Sequence, residues 1–531
     1  MIGALLLSGA TSAGAASADG ASSLARLADV RPDEGWSVKE VVLHDADGDG
    51  AADLLLSLAG PSGARRLEAR FKRRTGVPFP QAADRALELP KDVVAWALAD
   101  VHPDPGDEFV LFGANAVFVA RPAAPESERF ARLASIELLW QSPEAHAFSW
   151  QDGVLDVDGD GLDDLVVPGP GVQRVLLQRR DPAGACDFSR AFDLAVGEPI
   201  ASAAQRGLAQ GRGEVKPPGG RRTVSVEFGD DGLEIGSAKR GSGAMLAIDD
   251  SVPAARFHDW DGDGDLDALL LRDDALVVFR QEPRGTIATA PTLVLGSPVV
   301  RDRSRALDVS FEVWARDLDR DGRVDVVVAA GDRRSKDLRT QVQTFLAAKG
   351  AAPWKTEDVP LFGKEGAPSG VLVLGGLGRL VEVRDVDGDG RDDLVALAIK
   401  PDLIDELRAA TREALDAELY VFRGAPAGFE RKPALVQRVS LPAGGGDRTV
   451  AFAGDVTRDG VAELFLRDDA EHLRAYLVRR GKDGALTVVD RPLWERTIDR
   501  DARVVLPKHL GPGSWDLFAW TNGGVACASF D

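Results

Sequence analysis

Short, unbroken apolar runs punctuate the chain, each beginning directly after an acidic, glycine-rich loop. They are LLLSLA (54–59), LVVP (165–168), ALLL (268–271), VVVAA (326–330), LVALAI (394–399) and LFL (464–466). Runs of this length without polar alternation fit strands buried on both faces. A strand leads into the loop, as in VKEVVLH (38–44) and SFEVWAR (310–316). A third strand follows after a turn: AVFVAR (116–121), VQRVLLQ (172–178), LVVFRQ (276–281), QVQTFLA (341–347), LYVFRG (419–424) and LRAYLV (473–478). A fourth, outer strand fits before the next unit begins.

The loops repeat a pattern, D-x-D-x-D-G-x-x-D-apolar. It occurs as DADGDGAADL (45–54), DVDGDGLDDL (156–165), DWDGDGDLDA (259–268), DLDRDGRVDV (317–326) and DVDGDGRDDL (385–394). DVTRDGVAEL (455–464) is a weaker copy, DVHPDPGDEF (100–109) a decayed one, and Asp516-Leu517-Phe518 keeps only the end. The starts are separated by 55, 56, 103, 58, 68 and 70 residues. Four strands per unit, repeated around a ring, is the pattern of an all-β propeller. Counting loops, with one near residue 508, predicts eight four-stranded blades. Seven is the alternative, and the 103-residue interval leaves room for a further unit. RVVLP (503–507), DLFAW (516–520) and VACASF (525–530) supply three strands of the last blade. The segment 24–31 is expected to supply the fourth, which closes the ring and removes two exposed edges.

The loop chemistry points to a cation. Asp at positions 1, 3 and 5 of a tight turn brings three carboxylates together, Gly at position 6 permits the left-handed wrap, and Asp at position 9 closes the cage. Carboxylates about 4 Å apart repel by roughly 1 kcal/mol per pair even in bulk water. Hard oxygen ligands select Ca²⁺ over zinc or copper. The expected ligands are Asp45, Asp47, Asp49 and Asp53; Asp156, Asp158, Asp160 and Asp164; Asp259, Asp261, Asp263 and Asp267; Asp317, Asp319, Asp321 and Asp325; Asp385, Asp387, Asp389 and Asp393; and Asp455, Asp459 and Glu463. Five to six Ca²⁺ ions are expected. In the loop at 100, His102 replaces an Asp and Pro105 takes the Gly position, so that site is expected to be weak or empty. Position 12 is an apolar strand residue in every copy, unlike the bidentate Glu of an EF-hand.

Composition adds limits. The 531 residues are 44% hydrophobic, enough for a large core, and 57 Gly with 30 Pro fit many turns. A net charge of -21 argues against nucleic acid. Six divalent ions would offset more than half of it. Residues 1–18, apolar and then small up to Ala16-Ser17-Ala18, read as a signal peptide, although no Lys or Arg precedes the apolar run. A secreted or periplasmic monomer with no membrane span is expected. Cys186 and Cys527 fall in units that are not neighbours, so two unbridged thiols are expected.

These units resemble the FG-GAP/VCBS repeats of integrin-α-like β-propellers over nearly all of the chain after residue 18. The resemblance implies calcium-stabilised blades on a secreted or surface protein used for adhesion or ligand binding. The same blades also occur in lectins, polysaccharide lyases and structural modules.

Insertions at 199–250, 331–339 and 402–417 are expected to crowd the face opposite the acidic loops. The first includes a hairpin at 223–236, the second the basic residues Arg333, Arg334, Lys336 and Arg339, and the third an amphipathic helix. A protein or glycan ligand is expected on that face. None of His44, His102, His146, His258, His472 and His509 has metal-ligand spacing or a nucleophile context. No catalysis is expected. A calcium-dependent polysaccharide lyase and a purely structural scaffold are the alternatives.

Overall fold

The computed structural model describes residues 25–103, 105–113, 115–121, 129–136, 148–169, 172–181, 186–195, 200–201, 221–226, 246–250, 255–260, 263–271, 275–282, 286–296, 309–321, 324–332, 339–346, 369–399, 414–426, 428–442, 450–452, 454–467, 469, 471–505 and 515–530. These residues form eight four-stranded antiparallel blades arranged in a ring, with almost no helix. Blade 1 comprises Ser37–His44, Asp53–Ala59, Arg65–Arg70 and Arg85–Glu88. Blade 2 comprises Val93–Ala99, Glu108–Gly113, Ala116–Ala120 and Phe130–Ser135, and Ser149–Trp150 adds a short parallel strand on its inner edge. Blade 3 runs from Val154–Leu155 through Asp164–Gly169 and Val172–Arg180 to Cys186–Ala195. Blade 4 contains Ala255–His258, Asp267–Leu271, Ala275–Phe279 and Leu293–Gly296. Blade 5 contains Val309–Arg316, Asp325–Asp332, Arg339–Phe345 and Gly370–Gly375. Blade 6 contains Leu377–Arg384, Asp393–Ile399, Ala414–Phe422 and Leu435–Pro442, and blade 7 Val450–Phe452, Leu464–Leu466, His472–Tyr476 and Trp494–Thr497. Blade 8 takes Arg503–Val505, Trp515–Thr521 and Gly524–Phe530 from one end of the chain and Arg26–Val30 from the other. Arg26–Val30 pairs antiparallel with the third strand, from Arg26 opposite Ser529 to Val30 opposite Val525.

The apolar runs are second strands, and blade stacking explains why they lack polar alternation. All seven residues of Asp53–Ala59 are buried. Leu54, Leu56 and Leu58 pack on one side with Phe518 and Trp520 of blade 8. Leu55, on the other side, packs with Trp96 and Leu98 of blade 2. In blade 6, Leu394, Ala396 and Ala398 pack with blade 5, while Val395 and Leu397 pack with blade 7. Truncating such a leucine to alanine typically costs about 2–5 kcal/mol.

Residues 1–24, 202–220, 227–245, 333–338, 402–413 and 506–514 lie outside the described residues, and with them the expected signal peptide, most of the three expected insertions and the expected loop near 508. Within the first insertion Arg221–Val226 pairs with Leu246–Asp250 and with Ile200–Ala201. The helix expected over 402–417 does not reach its stated end. Ala414–Phe422 is a strand paired on both sides, and its ladder takes the backbone groups a helix would use. Three two-stranded hairpins follow third strands, at 281–287 in blade 4, 424–429 in blade 6 and 478–488 in blade 7. They lie in third-to-fourth connections, on the same face as the acidic loops. Cys186 in blade 3 and Cys527 in blade 8 are unbridged.

Candidate metal centres

Every acidic loop joins the first strand of a blade to its second, which gathers the loops on one face of the ring. Local geometry explains the spacing. The position-1 carboxylate folds back over its own turn: Asp45 Oδ2 accepts from Gly50 N–H at 2.8 Å, and Asp156, Asp259, Asp385 and Asp455 accept from the matching glycine at 2.7–2.9 Å. The position-5 carboxylate accepts from the N–H two residues on, as Asp49 does from Ala51 and Asp389 from Arg391. Two loop positions take the left-handed backbone. Position 6 has φ of +84° at Gly50 and +85° at Gly390, and position 4 has φ of +76° at Gly48 and +71° at Gly388. Arg320 and Arg458 adopt that conformation at position 4 of their loops, with φ of +60° and +61°. The left-handed demand therefore falls on position 4 as well as on the position 6 expected from the loop pattern.

Position 9 anchors the loop to the blade. Asp53 Oδ2 accepts from Ala46 N–H at 2.9 Å and Oδ1 from Lys72 N–H at 2.8 Å, just past the third strand. Asp164 is held the same way by Val157 and Gln178, Asp267 by Trp260 and Gln281, and Asp393 by Val386 and Gly424. Asp325 accepts from Leu318 N–H at 2.8 Å. Glu463 accepts from Val456 N–H and from the Thr457 hydroxyl, so the threonine at position 3 serves the longer acid at position 9. All six of these acids are buried.

Burial and neighbouring carboxylates disfavour their charged forms. Burial raises the Asp53 pKa to about 7, and Asp45 and Asp47 add to the rise, while backbone N–H groups oppose it. Asp393 is pushed to about 7 and Asp164 to about 6 for the same reasons, and Glu463 is also raised.

Ligand oxygens converge within 4.8 Å in five blades: Asp45, Asp47 and Asp53; Asp156, Asp158 and Asp164; Asp317, Asp319 and Asp325; Asp385, Asp387 and Asp393; and Asp455, Asp459 and Glu463. Each group could hold a metal ion. In four of them the convergent set is positions 1, 3 and 9, and the position-5 acids Asp49, Asp160, Asp321 and Asp389 stand outside it. Arginines at or just past the end of the third strand meet several position-5 acids: Arg179 Nη1 lies 2.7 Å from Asp160, Arg280 Nη2 2.9 Å from Asp263, and Arg423 Nη2 3.0 Å from Asp389. These arginines lie 17 to 34 residues from the acids they meet, outside the loop pattern. In blade 4, Asp259, Asp263 and Asp267 are described and Asp261 is not.

Blade 2 is arranged differently. Glu108 accepts from Val101 and His102 N–H at 3.1 Å, and Arg180 of blade 3 pairs with Asp100 at 2.7 Å. His44 bridges the seam between blades 1 and 2, with Nε2 2.7 Å from Asp107 Oδ2.

Adjacent loops also touch. Asp107 N–H donates to Ala46 O at 3.1 Å, and Ala462 N–H donates to Val386 O at 2.8 Å.

Residues 259–328, spanning the acidic loops of blades 4 and 5, match the FG-GAP-like repeat family. No curated protein matches the chain. Among solved structures, the chain is similar to the WD40 domain of SCAP from fission yeast, with 10% identity, a TM-score of 0.29, and coverage of 96% of this chain and 98% of that one. It is also similar to a chain of the Photorhabdus luminescens Tc holotoxin pore, with 13% identity, a TM-score of 0.25, and coverage of 97% of this chain but 29% of that one. The eight four-stranded blades in a ring, with the repeat matched at 259–328, make this chain a β-propeller that carries an FG-GAP-like repeat.

Proposed function

We propose that the chain is a secreted calcium-binding propeller that holds a protein or glycan ligand and performs no chemistry on it. One observation carries the calcium reading. In five blades a buried position-9 acid, fixed by backbone N–H groups, faces two further carboxylates with oxygens within 4.8 Å. The donors are all hard oxygens, with no His or Cys in any group, which favours Ca²⁺ over zinc or copper. The ion would be held by Asp at positions 1, 3 and 9, or by Asp455, Asp459 and Glu463 in blade 7. It would supply charge compensation that lets adjacent loops pack.

Binding rather than catalysis is supported by how the acids are employed, since the position-1, position-5 and position-9 carboxylates fix turns and strands. The apolar and then small residues 1–18 support secretion. The ligand is assigned to the face opposite the metal loops, where the long second-to-third connections of blades 5 and 6 and the 196–254 connection emerge.

Calorimetric titration of chelator-treated protein with Ca²⁺ tests the metal reading. Saturable binding with a raised melting temperature is expected, and no heat together with an unchanged melting temperature overturns it. A glycan array and a protein-binding screen on the calcium-loaded chain test the ligand reading. Turnover of an acidic polysaccharide would replace it with an enzymatic one.

A further inference from the structure

We propose that Arg179 in blade 3 and Arg423 in blade 6 are built-in counter-ions, which weaken calcium binding in those two loops and hold them folded without it. The inference rests on the calcium reading above and divides the proposed sites into two classes.

Each guanidinium spans the carboxylates at positions 3 and 5. Arg179 donates through Nη2 to Asp158 Oδ2, while its Nη1 lies 2.7 Å from Asp160 Oδ2 and donates to the Gln178 carbonyl at 2.6 Å. Arg423 places Nε 2.7 Å from Asp387 Oδ2 and Nη2 3.0 Å from Asp389 Oδ2. The blade 7 hairpin lies over this second contact. A Cβ on Gly484 would come within 2.5 Å of Arg423 Nη1, and Arg480 from the same hairpin donates to the Asp387 carbonyl at 3.0 Å.

The blade 3 arginine engages only one of the two Asp158 oxygens. The Asp158 side chain is 3% exposed, and its second oxygen, Oδ1, is buried without a hydrogen-bond partner. Asp158 belongs to the convergent group with Asp156 and Asp164. The arginine therefore holds one carboxylate oxygen while the other remains available to an ion.

The loops of blades 1 and 7 are built without a cation spanning positions 3 and 5. In blade 1, Arg74 comes only to 3.8 Å from Asp49, and its side chain is 82% exposed. In blade 7, no Arg or Lys among the described residues pairs with Asp455, Asp459 or Glu463. Affinity in oxygen-ligand loops follows the ligand charge count, and a fixed positive charge beside two ligand carboxylates lowers that count. The same charge relieves their mutual repulsion when no ion is bound.

The test compares wild type with Arg179→Gln and Arg423→Gln, using Ca²⁺ titration and melting temperature of the full chain in chelator and in calcium. The wild-type isotherm is expected to show a tight and a weak class. Each variant should move one weak site about tenfold tighter, as loss of one opposing charge predicts. Each should also melt lower than wild type in chelator and close to wild type in calcium. Arg179→Lys keeps the charge and is expected to bind as wild type does. Tightening by Arg179→Lys as large as that by Arg179→Gln overturns the proposal, as does an isotherm unchanged in both glutamine variants. If wild type binds no Ca²⁺ at all, the calcium reading fails instead. The counter-ion role is then decided in chelator alone: lower melting of the glutamine variants upholds it, and equal melting overturns it.

Discussion

The ammonium of Lys72 in blade 1 lies 2.7 Å from Oδ2 of Asp516 in blade 8, and both side chains are buried. Asp516 stands where the other blades carry their position-9 acid, and the N–H of Lys72 itself donates to Asp53 Oδ1, the position-9 acid of blade 1. One residue thus ties together the terminal carboxylates of two blades across the seam that closes the ring. Removing one partner of a buried pair strands the other charge and costs about 3–5 kcal/mol. Lys72→Met is expected to lower urea stability by that order. Lys72→Met combined with Asp516→Leu should recover most of the loss, because no charge is then left buried alone. Equal destabilisation in the single and double variants would refute this account of the seam.

Chelated protein is expected to lose stability as pH rises through the neutral range. Asp53 and Asp393 have folded pKa values of about 7 and Asp164 about 6, against an ordinary value of 3.8, chiefly because they are buried. An acid whose pKa is higher folded than unfolded stabilises the fold fully below its unfolded value and ceases to do so as pH rises through its folded value. Melting temperature in chelator should therefore fall between about pH 4 and pH 8. In saturating calcium the ionised forms are compensated, so the fall should be smaller or absent. Parallel curves with and without calcium would count against ion binding by these acids.

How far the chain could be read in advance follows the range of the interactions. The loops were legible because their hydrogen bonds close within nine residues, as from Gly50 to Asp45 and from Ala46 to Asp53. The blades were legible because second strands such as Asp53–Ala59 are covered on both faces and so carry no polar alternation. What the sequence concealed is tertiary. Arg423 reaches Asp389 across 34 positions, and Lys72 reaches Asp516 across 444, with no local pattern to announce either. The hairpin at 478–488 does carry a local turn signal in GKDG (481–484), but it lies outside the four-strand repeat. Ala414 and Leu415 fit a helical stripe with Ile404 and Leu407, yet Ala414–Ala417 pair along the fourth strand, opposite Pro442 to Val439.

Two glycines separate backbone strain from steric clash. Gly50 has φ of +84° and open space where a Cβ would go, so Gly50→Ala is expected to cost about 1 kcal/mol from the left-handed backbone alone. Gly388 has φ of +71°, and a Cβ there would lie 1.9 Å from the Gly460 carbonyl oxygen in the next loop. Gly388→Ala must therefore push the blade 6 and blade 7 loops apart. It should cost distinctly more than Gly50→Ala in chemical denaturation. Equal costs would show that the two loops do not need this approach.

Blade 2 offers a gain-of-function test of the whole scheme. Its loop keeps Asp100 and Asp104 at positions 1 and 5, but His102 and Pro105 occupy positions 3 and 6. His102→Asp with Pro105→Gly restores the carboxylate and the left-handed turn, while Glu108 already accepts two loop N–H groups at position 9. Arg180 still pairs with Asp100 at 2.7 Å, so the double variant is expected to take up one more Ca²⁺ only weakly. Adding Arg180→Gln removes that competing charge and should tighten the new site by about tenfold, the effect of one positive charge beside an oxygen ligand. Ion counting after equilibrium dialysis measures both steps. An extra ion that binds equally well with and without Arg180 would mean that loop charge does not set affinity in this ring. If neither variant gains an ion, the loop pattern alone does not make a site.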